Sequence, residues 1–182
     1  PYGGRVLKKY RVFDGHCDTA IELWRQEQNL RSNLLAVSLE RAERLDGYAQ
    51  FFAFCTAWLK TRMPHTEHFA RALDYFTEQL RENEDRITLC RTMREADAAM
   101  AAGRAAAFLA IEGAEAVRED PGLLEAAYEK GVRMVSLVWN LPNSLSGSCQ
   151  TGEGLSEKGK EFFRRAQRLG MLVDVSHLSE RG

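Results

Sequence analysis

Two side chains that can bind a metal stand two positions apart near the start of the chain. The segment FDGHCDT places His16 and Asp18 on either side of Cys17. In an extended strand, residues i and i+2 project to the same face, so an imidazole and a carboxylate can point together while Cys17 points away. This donor pair suits a borderline metal such as zinc. Asp14 lies one step earlier on the same face and is expected to fix the tautomer of His16. An HxD pair alone is more often a surface or turn pair.

Two further candidate ligands follow apolar segments. Glu112 ends FLAIEG, and His177 follows in MLVDVSH. A buried carboxylate needs a compensating partner, and a metal ion is one of the few that would stabilise it there. The alternatives are a solvated loop glutamate and a core histidine bonded to backbone. Together with His16 and Asp18, these residues could hold one metal fully, or two incompletely if Glu112 bridges them. Two adjacent divalent ions can activate water and polarise a carbonyl.

Other reactive side chains are less well placed for chemistry. His65 and His68 stand at the start of a predicted helix, where a solvated first turn is expected, and Glu115 is expected on the surface. The four cysteines are far apart and form no CxxC pair, so isolated thiols are expected rather than disulfides or a zinc knuckle. No GxSxG, P-loop or GxGxxG motif is present. Serine hydrolase, NTPase and dinucleotide-binding functions are therefore not indicated.

Alternating strands and helices must position these groups. Five apolar segments are predicted as strands, over residues 10–16, 48–58, 105–113, 131–140 and 170–177. Four helices are predicted between them, over 66–83, 92–102, 121–130 and 156–169. This alternation predicts an α/β fold with a parallel sheet, and a long loop is expected over 140–154. Polar groups cluster at the carboxyl ends of the strands, which is the end where ligands bind in parallel α/β folds.

Composition narrows the classes of function. The chain has 182 residues, with 25 basic and 26 acidic side chains and a formal net charge of -1, and no basic block occurs. No nucleic acid partner is therefore expected. No segment is apolar and long enough for a membrane span, and no signal peptide is visible, so a cytoplasmic location is expected.

The quoted segments, taken together, resemble one known family. FDGHCDT, GYAQFFAF, FLAIEG, MVSLVWN and GLSEKGKEFFRRAQRLGMLVDVSHLS stand in the order found in the membrane (renal-type) dipeptidases, peptidase family M19. The resemblance runs from about residue 10 to the end, and its last segment is the most specific part.

The resemblance implies a fold, a metal centre and a reaction. The implied fold is a (β/α)8 TIM-type barrel, of which residues 1–182 would supply about the first five βα units. The implied centre holds two Zn2+ ions, with His16 and Asp18 on one, Glu112 bridging, and His177 on the second. The implied reaction is hydrolysis of dipeptides by a metal-bridging hydroxide, and a homodimer is possible.

The sequence differs from the family pattern in two places, and each difference leads to a further prediction. Trp139 stands where the renal enzymes have a substrate-holding histidine, so Trp139 and the adjacent Asn140 are expected to contact substrate. The family's further histidine ligand, its carboxylate-binding arginine and its acidic residue have no counterpart before Gly182. We therefore expect residues 1–182 to be the N-terminal part of a single barrel, inactive alone. The alternatives are another metal-dependent amidohydrolase acting on N-acyl amino acids or cyclic amides, and an inactive pseudoenzyme.

Overall fold

Strands and helices alternate through residues 10–182, the part of the chain that the computed structural model describes. The strands are β1 (Arg11–Cys17), β2 (Gly47–Cys55), β3 (Ile87–Leu89), β4 (Ala105–Glu112), β5 (Val132–Ser136) and β6 (Leu172–Asp174). The helices are α1 (Thr19–Gln26), α2 (Leu39–Ala42), α3 (His65–Glu82), α4 (Met93–Ala101), α5 (Pro121–Glu129) and α6 (Glu157–Arg168), with a 3-10 turn over Ala114–Val117. Residues 1–9, part of the segment in which no signal peptide was expected, lie outside the described residues.

All strand pairs are parallel, which confirms the predicted α/β class. The sheet runs in the order β1-β2-β4-β5-β6. The short β3 pairs with residues 105–107 of β4, and β5 pairs with residues 109–112. Because β2 pairs with residues 106–112 along the other edge of β4, β3 and β5 follow one another along the same edge. The result is a curved parallel sheet in the form of a half-barrel.

Both faces of the central strands are buried, as the almost continuous apolar segments predict. Along β4, Leu109 and Ile111 belong to the cluster that packs against the helices. Phe108 belongs to the cluster on the opposite, inner face. On β2, Phe52 packs on Phe76 of α3 with ring centroids 4.7 Å apart. This alternation sends every second side chain of β2 and β4 toward the inner face, where the functional groups must lie.

Local signals set the helix ends where they were expected. Asp120 accepts hydrogen bonds from the backbone N–H groups of Gly122 and Leu123, and Pro121 occupies the first helical position of α5. Ser156 caps α6 by accepting from the N–H of Gly159. These contacts satisfy N–H groups that a helix start leaves without partners.

The elements differ from the sequence-based predictions in three respects. β3 was not predicted, because three residues are too few to show a periodic pattern. The helices α1 and α2 were also missed; α1 is short and begins directly after the HxD pair. Three predicted strands extend too far, since β2 ends at Cys55, β5 at Ser136 and β6 at Asp174. Trp139, Asn140 and His177 therefore lie in loops that follow strands, rather than on the strands.

Two further features concern residues 10–182 together. All four cysteines are free thiols, three of them buried and Cys149 exposed. Within residues 10–182, no helix has the length and apolar character needed to cross a membrane.

Candidate metal centre

Register across the sheet brings four strand ends into one row. Cys55 of β2 pairs with Glu112 of β4, Glu112 pairs with Ser136 of β5, and Ser136 pairs with Asp174 of β6. Each of the four is the last residue of its strand. The carboxyl ends of these parallel strands therefore lie side by side, and Glu112, one of the predicted site residues, is in their row.

The end of β1 adds an imidazole and a second carboxylate to this row. The β1–β2 register shifts between Asp14 and Cys17, so the strand is irregular where His16 lies. The Nε2 atom of His16 is 3.5 Å from Oε2 of Glu112 and 3.8 Å from Oδ1 of Asp18. Potential ligand atoms of His16, Asp18 and Glu112 all lie within 4.8 Å of one another. The HxD pair thus meets Glu112 in space across 94 residues of sequence.

His177 approaches the other carboxylate oxygen of Glu112. Its Nε2 atom is 2.9 Å from Oε1 of Glu112. The two carboxylate oxygens of Glu112 therefore face two different imidazoles, His177 through Oε1 and His16 through Oε2. This is the arrangement expected of a carboxylate shared between two neighbouring cation sites.

The electrostatics of the site favour a bound cation. Glu112 is only 7% exposed. Burial raises the pKa of its carboxyl, the charge of Asp18 adds to this effect, and His16 and His177 oppose it. The neighbouring Asp18 carboxylate raises the pKa of His16 despite burial, and the charge of Glu112 acts in the same direction. A buried carboxylate, Glu112, thus lies close to the exposed carboxylate of Asp18, and a bound positive charge would stabilise both.

The donor set fits zinc on chemical grounds. Imidazole nitrogens and carboxylate oxygens are donors that Zn2+ takes in proteins. The imidazoles of His16 and His177 are close enough to Glu112 for shared ligation with little rearrangement. These side chains are therefore suited to bind zinc, the metal that their types predicted from the sequence.

A cleft of about 570 Å3 opens beside these side chains. It is lined by residues of β1, β4, β5, β6 and the segment after β6, namely Asp14, Gly15, His16, Glu112, Met134, Asp174, Ser176 and His177. Trp139 and Asn140 are not among them. The Trp139 ring lies 6.3 Å from the His177 ring, and the backbone carbonyl of Asn140 accepts from Ser148 Oγ. Substrate contact by Trp139 and Asn140 stays a prediction.

Asp14 Oδ1 accepts from the backbone N–H of His16 at 3.1 Å, and an effect of Asp14 on the imidazole tautomer stays a prediction. Two other expected side-chain environments were wrong. Glu115 is half-buried because the 3-10 turn folds it back toward Asn143, whose Nδ2 donates to Oε1 at 2.9 Å. Its Oε2 atom is buried without a hydrogen-bond partner in the described part of the chain. His68 is buried, with Nε2 2.6 Å from Thr61 Oγ1, because α3 packs its first turn against Trp24.

Sequence reasoning missed two neighbours of the ligands. Asp174 lines the cleft, and its charge acts on His16. Cys55 is buried beside Glu112; burial raises the pKa of its thiol, and the Glu112 charge adds to that rise. Asp174 could have been noticed as a carboxylate that ends an apolar segment. Nothing in the sequence marks Cys55, because only strand register places it next to Glu112.

Fold and site together define a class of protein. This is the class of parallel α/β half-barrels and barrels that gather metal ligands at the carboxyl edge of the sheet. A family model described as membrane dipeptidase (peptidase family M19) matches residues 4–182. The chain belongs to this family.

Relatives in sequence and structure agree with that assignment. An uncharacterised Acinetobacter calcoaceticus protein, from the PQQ-III 3' region, is 27% identical over 93% of this chain and 64% of its own length. A crystal structure of a family M19 metallopeptidase, the dipeptidase AC, superposes with a TM-score of 0.81 at 28% identity, over 96% of this chain and 59% of that one.

A Rhodobacter sphaeroides metallopeptidase, solved with a phosphinate mimic of the dipeptide L-Ala-D-Ala, also gives a TM-score of 0.81. It is 26% identical, and the match covers 96% of this chain and 61% of the other. The chain thus spans about three fifths of the length of these relatives.

Proposed function

We propose that the protein is a zinc-dependent dipeptidase and that residues 10–182 carry one side of its two-metal site. Family membership supports hydrolysis of dipeptides, as does the ligand of the Rhodobacter sphaeroides relative, which mimics a dipeptide. The observation that carries the proposal is the position of Glu112, a buried carboxylate whose two oxygens face two imidazoles.

Each ligand has a defined role in this proposal. His16, Asp18 and Glu112 would hold one zinc ion, and Glu112 and His177 would hold the second. When bound, the two ions would activate water near neutral pH and polarise the scissile carbonyl. The protein orients this chemistry by placing the two imidazoles at different oxygens of Glu112, at the edge of the open cleft. Trp139, close to His177, is proposed to border the bound dipeptide.

The half-barrel is proposed to form part of a (β/α)8 barrel in the complete protein. The terminal strands of the described sheet support this idea, because each exposes a large apolar side chain. Phe13 on β1 is 50% exposed, and Leu172 on β6 is 57% exposed. Closing the barrel would cover both side chains and pair the open strand edges.

Metal analysis and dipeptide hydrolysis, measured on the complete protein, test the function. We expect two zinc ions per chain, loss of dipeptide hydrolysis after chelation, and recovery when zinc is restored. His16→Ala should lose metal and activity. His65→Ala is the matched control, since His65 lies outside the cleft with its Nδ1 3.1 Å from the carbonyl of Thr56. Undiminished dipeptidase activity in His16→Ala would refute the assignment.

A substrate panel separates the dipeptidase from a related amidohydrolase. Dipeptides, N-acyl amino acids and cyclic amides should be compared at equal concentration. Preferential hydrolysis of N-acyl amino acids would replace the dipeptidase assignment while leaving the metal site intact.

A further inference from the structure

The last residue of β6 holds a turn that ends at His177. Asp174 Oδ1 accepts two hydrogen bonds from Ser176, one from its backbone N–H at 2.9 Å and one from its hydroxyl at 2.5 Å. Asp174 itself is fixed by the sheet, because β6 pairs with β5 through Asp174 and Ser136. The carboxylate thus ties the segment after the strand to the strand end.

Apolar packing holds the residues on either side of this turn, Val173 and Leu178, but not the turn itself. Val175, in the middle of the turn, is 63% exposed. The backbone instead is held by hydrogen bonds, with the N–H of Leu178 donating to the carbonyl of Val175 at 3.0 Å. From the other side, the N–H of Cys149 donates to the carbonyl of His177 at 2.8 Å. A few polar contacts therefore help to set the position of the His177 ring. Among them are the two hydrogen bonds between Asp174 and Ser176, the residue directly before His177.

We propose that Asp174 is a positioning residue for the metal ligand His177. It fixes the turn of residues 174–177 so that Nε2 of His177 meets Oε1 of Glu112. Both recorded hydrogen bonds of the carboxylate go through Oδ1, so an asparagine side chain can make the same contacts, whereas alanine cannot. This inference rests on the proposed function, since it takes His177 as a ligand of the second zinc ion.

Metal titration of the complete protein tests the role of Asp174. Zinc-free wild type, Asp174→Asn and Asp174→Ala should be titrated with Zn2+ by calorimetry, with bound metal counted by mass spectrometry. Partners that orient a ligand typically contribute 10–100-fold in metal affinity. We expect Asp174→Ala to weaken the second zinc ion by at least about tenfold, and to weaken the first ion less. Asp174→Asn should restore the wild-type second affinity, and His177→Ala should mark the complete loss of that site.

Distinct results overturn the inference. If Asp174→Asn loses the second ion as fully as Asp174→Ala does, the negative charge matters and the positioning role is wrong. If Asp174→Ala binds both ions like wild type, the turn does not need the carboxylate. If Asp174→Ala fails to fold, Ser176→Ala can replace it, since this variant removes one of the two donors to Asp174. It should weaken only the second ion. An unchanged affinity for that ion would then refute the positioning role. Wild type that binds no zinc would refute the proposed function instead, which keeps the two failures distinguishable.

Discussion

Glu112 is the side chain whose replacement should affect the whole metal centre. Glu112→Gln keeps the size of the side chain but removes the charge that faces both His16 and His177, at 3.5 and 2.9 Å. A replacement of His177 would disturb one side only. In the metal-free protein we expect the stability of the variant to stay close to that of wild type, because the cost of burying the Glu112 charge is offset by its contacts with the two imidazoles.

The expected size of the effect follows from linkage. Zinc at 100 times its dissociation constant stabilises a folded protein by about 2.7 kcal/mol per site. In a domain of this size, about 1 kcal/mol changes Tm by roughly 2–4 °C, so wild type should gain about 5–11 °C for each occupied site. If Glu112→Gln weakens zinc by about 100-fold, the same zinc concentration contributes only about 0.4 kcal/mol per site, or about 1–2 °C for each.

Thermal unfolding of chelator-stripped protein, with and without added zinc, measures this difference. Glu115→Gln is the matched control, because it neutralises another partly buried carboxylate that bonds to Asn143 rather than to an imidazole. That control should keep the full rise in Tm. A rise in Glu112→Gln as large as in wild type would show that Glu112 is not the shared ligand.

Three further predictions concern stability and reactivity. Burial lowers the pKa of His68, so the folded state binds fewer protons than the unfolded chain, and stability should fall as the pH drops below about 6.5. Urea midpoints between about pH 7.5 and 5.5 should change less in His68→Gln than in wild type, and equal changes would contradict this. Cys149 is the exposed thiol, so Cys149→Ser should remove one fast-reacting thiol per chain toward a disulfide reagent, and an unchanged count would show that a buried thiol reacts. A Cβ on Gly159 would lie 2.0 Å from the carbonyl oxygen of Leu145. Gly159→Ala should therefore lower the free energy of unfolding in urea by about 1–3 kcal/mol, although alanine favours helices. A stabilised variant would refute the close contact.

Much of the fold could be predicted from local patterns. Long apolar segments such as the one that forms β4 mark buried strands, and Asp120 with Pro121 marks the start of α5. Such signals depend on neighbouring residues and hold wherever the segment is placed. β3 could not be predicted, because its three residues become a strand only by pairing with β4.

The environments of single side chains were harder to predict. His68 looked like a residue of a solvated helix start and is buried, since the packing of α3 against α1 decides its exposure. Glu115 looked like a surface residue, yet the turn after Gly113 folds it inward. Gly113 has φ of 86°, a backbone angle that favours glycine. The bend at this glycine directs the following turn, and with it Glu115, toward the protein interior.

The sequence by itself determined which chemistry this protein can support and at which end of the sheet. Residue type sets ligand chemistry, and His16, Asp18, Glu112 and His177 each stand at or just after the end of an apolar segment. Only the tertiary structure decided that the two oxygens of Glu112 face different imidazoles, and that Asp174 joins the site. The reason is that these contacts depend on register between strands far apart in sequence, and on the turns that follow them, which no local pattern encodes.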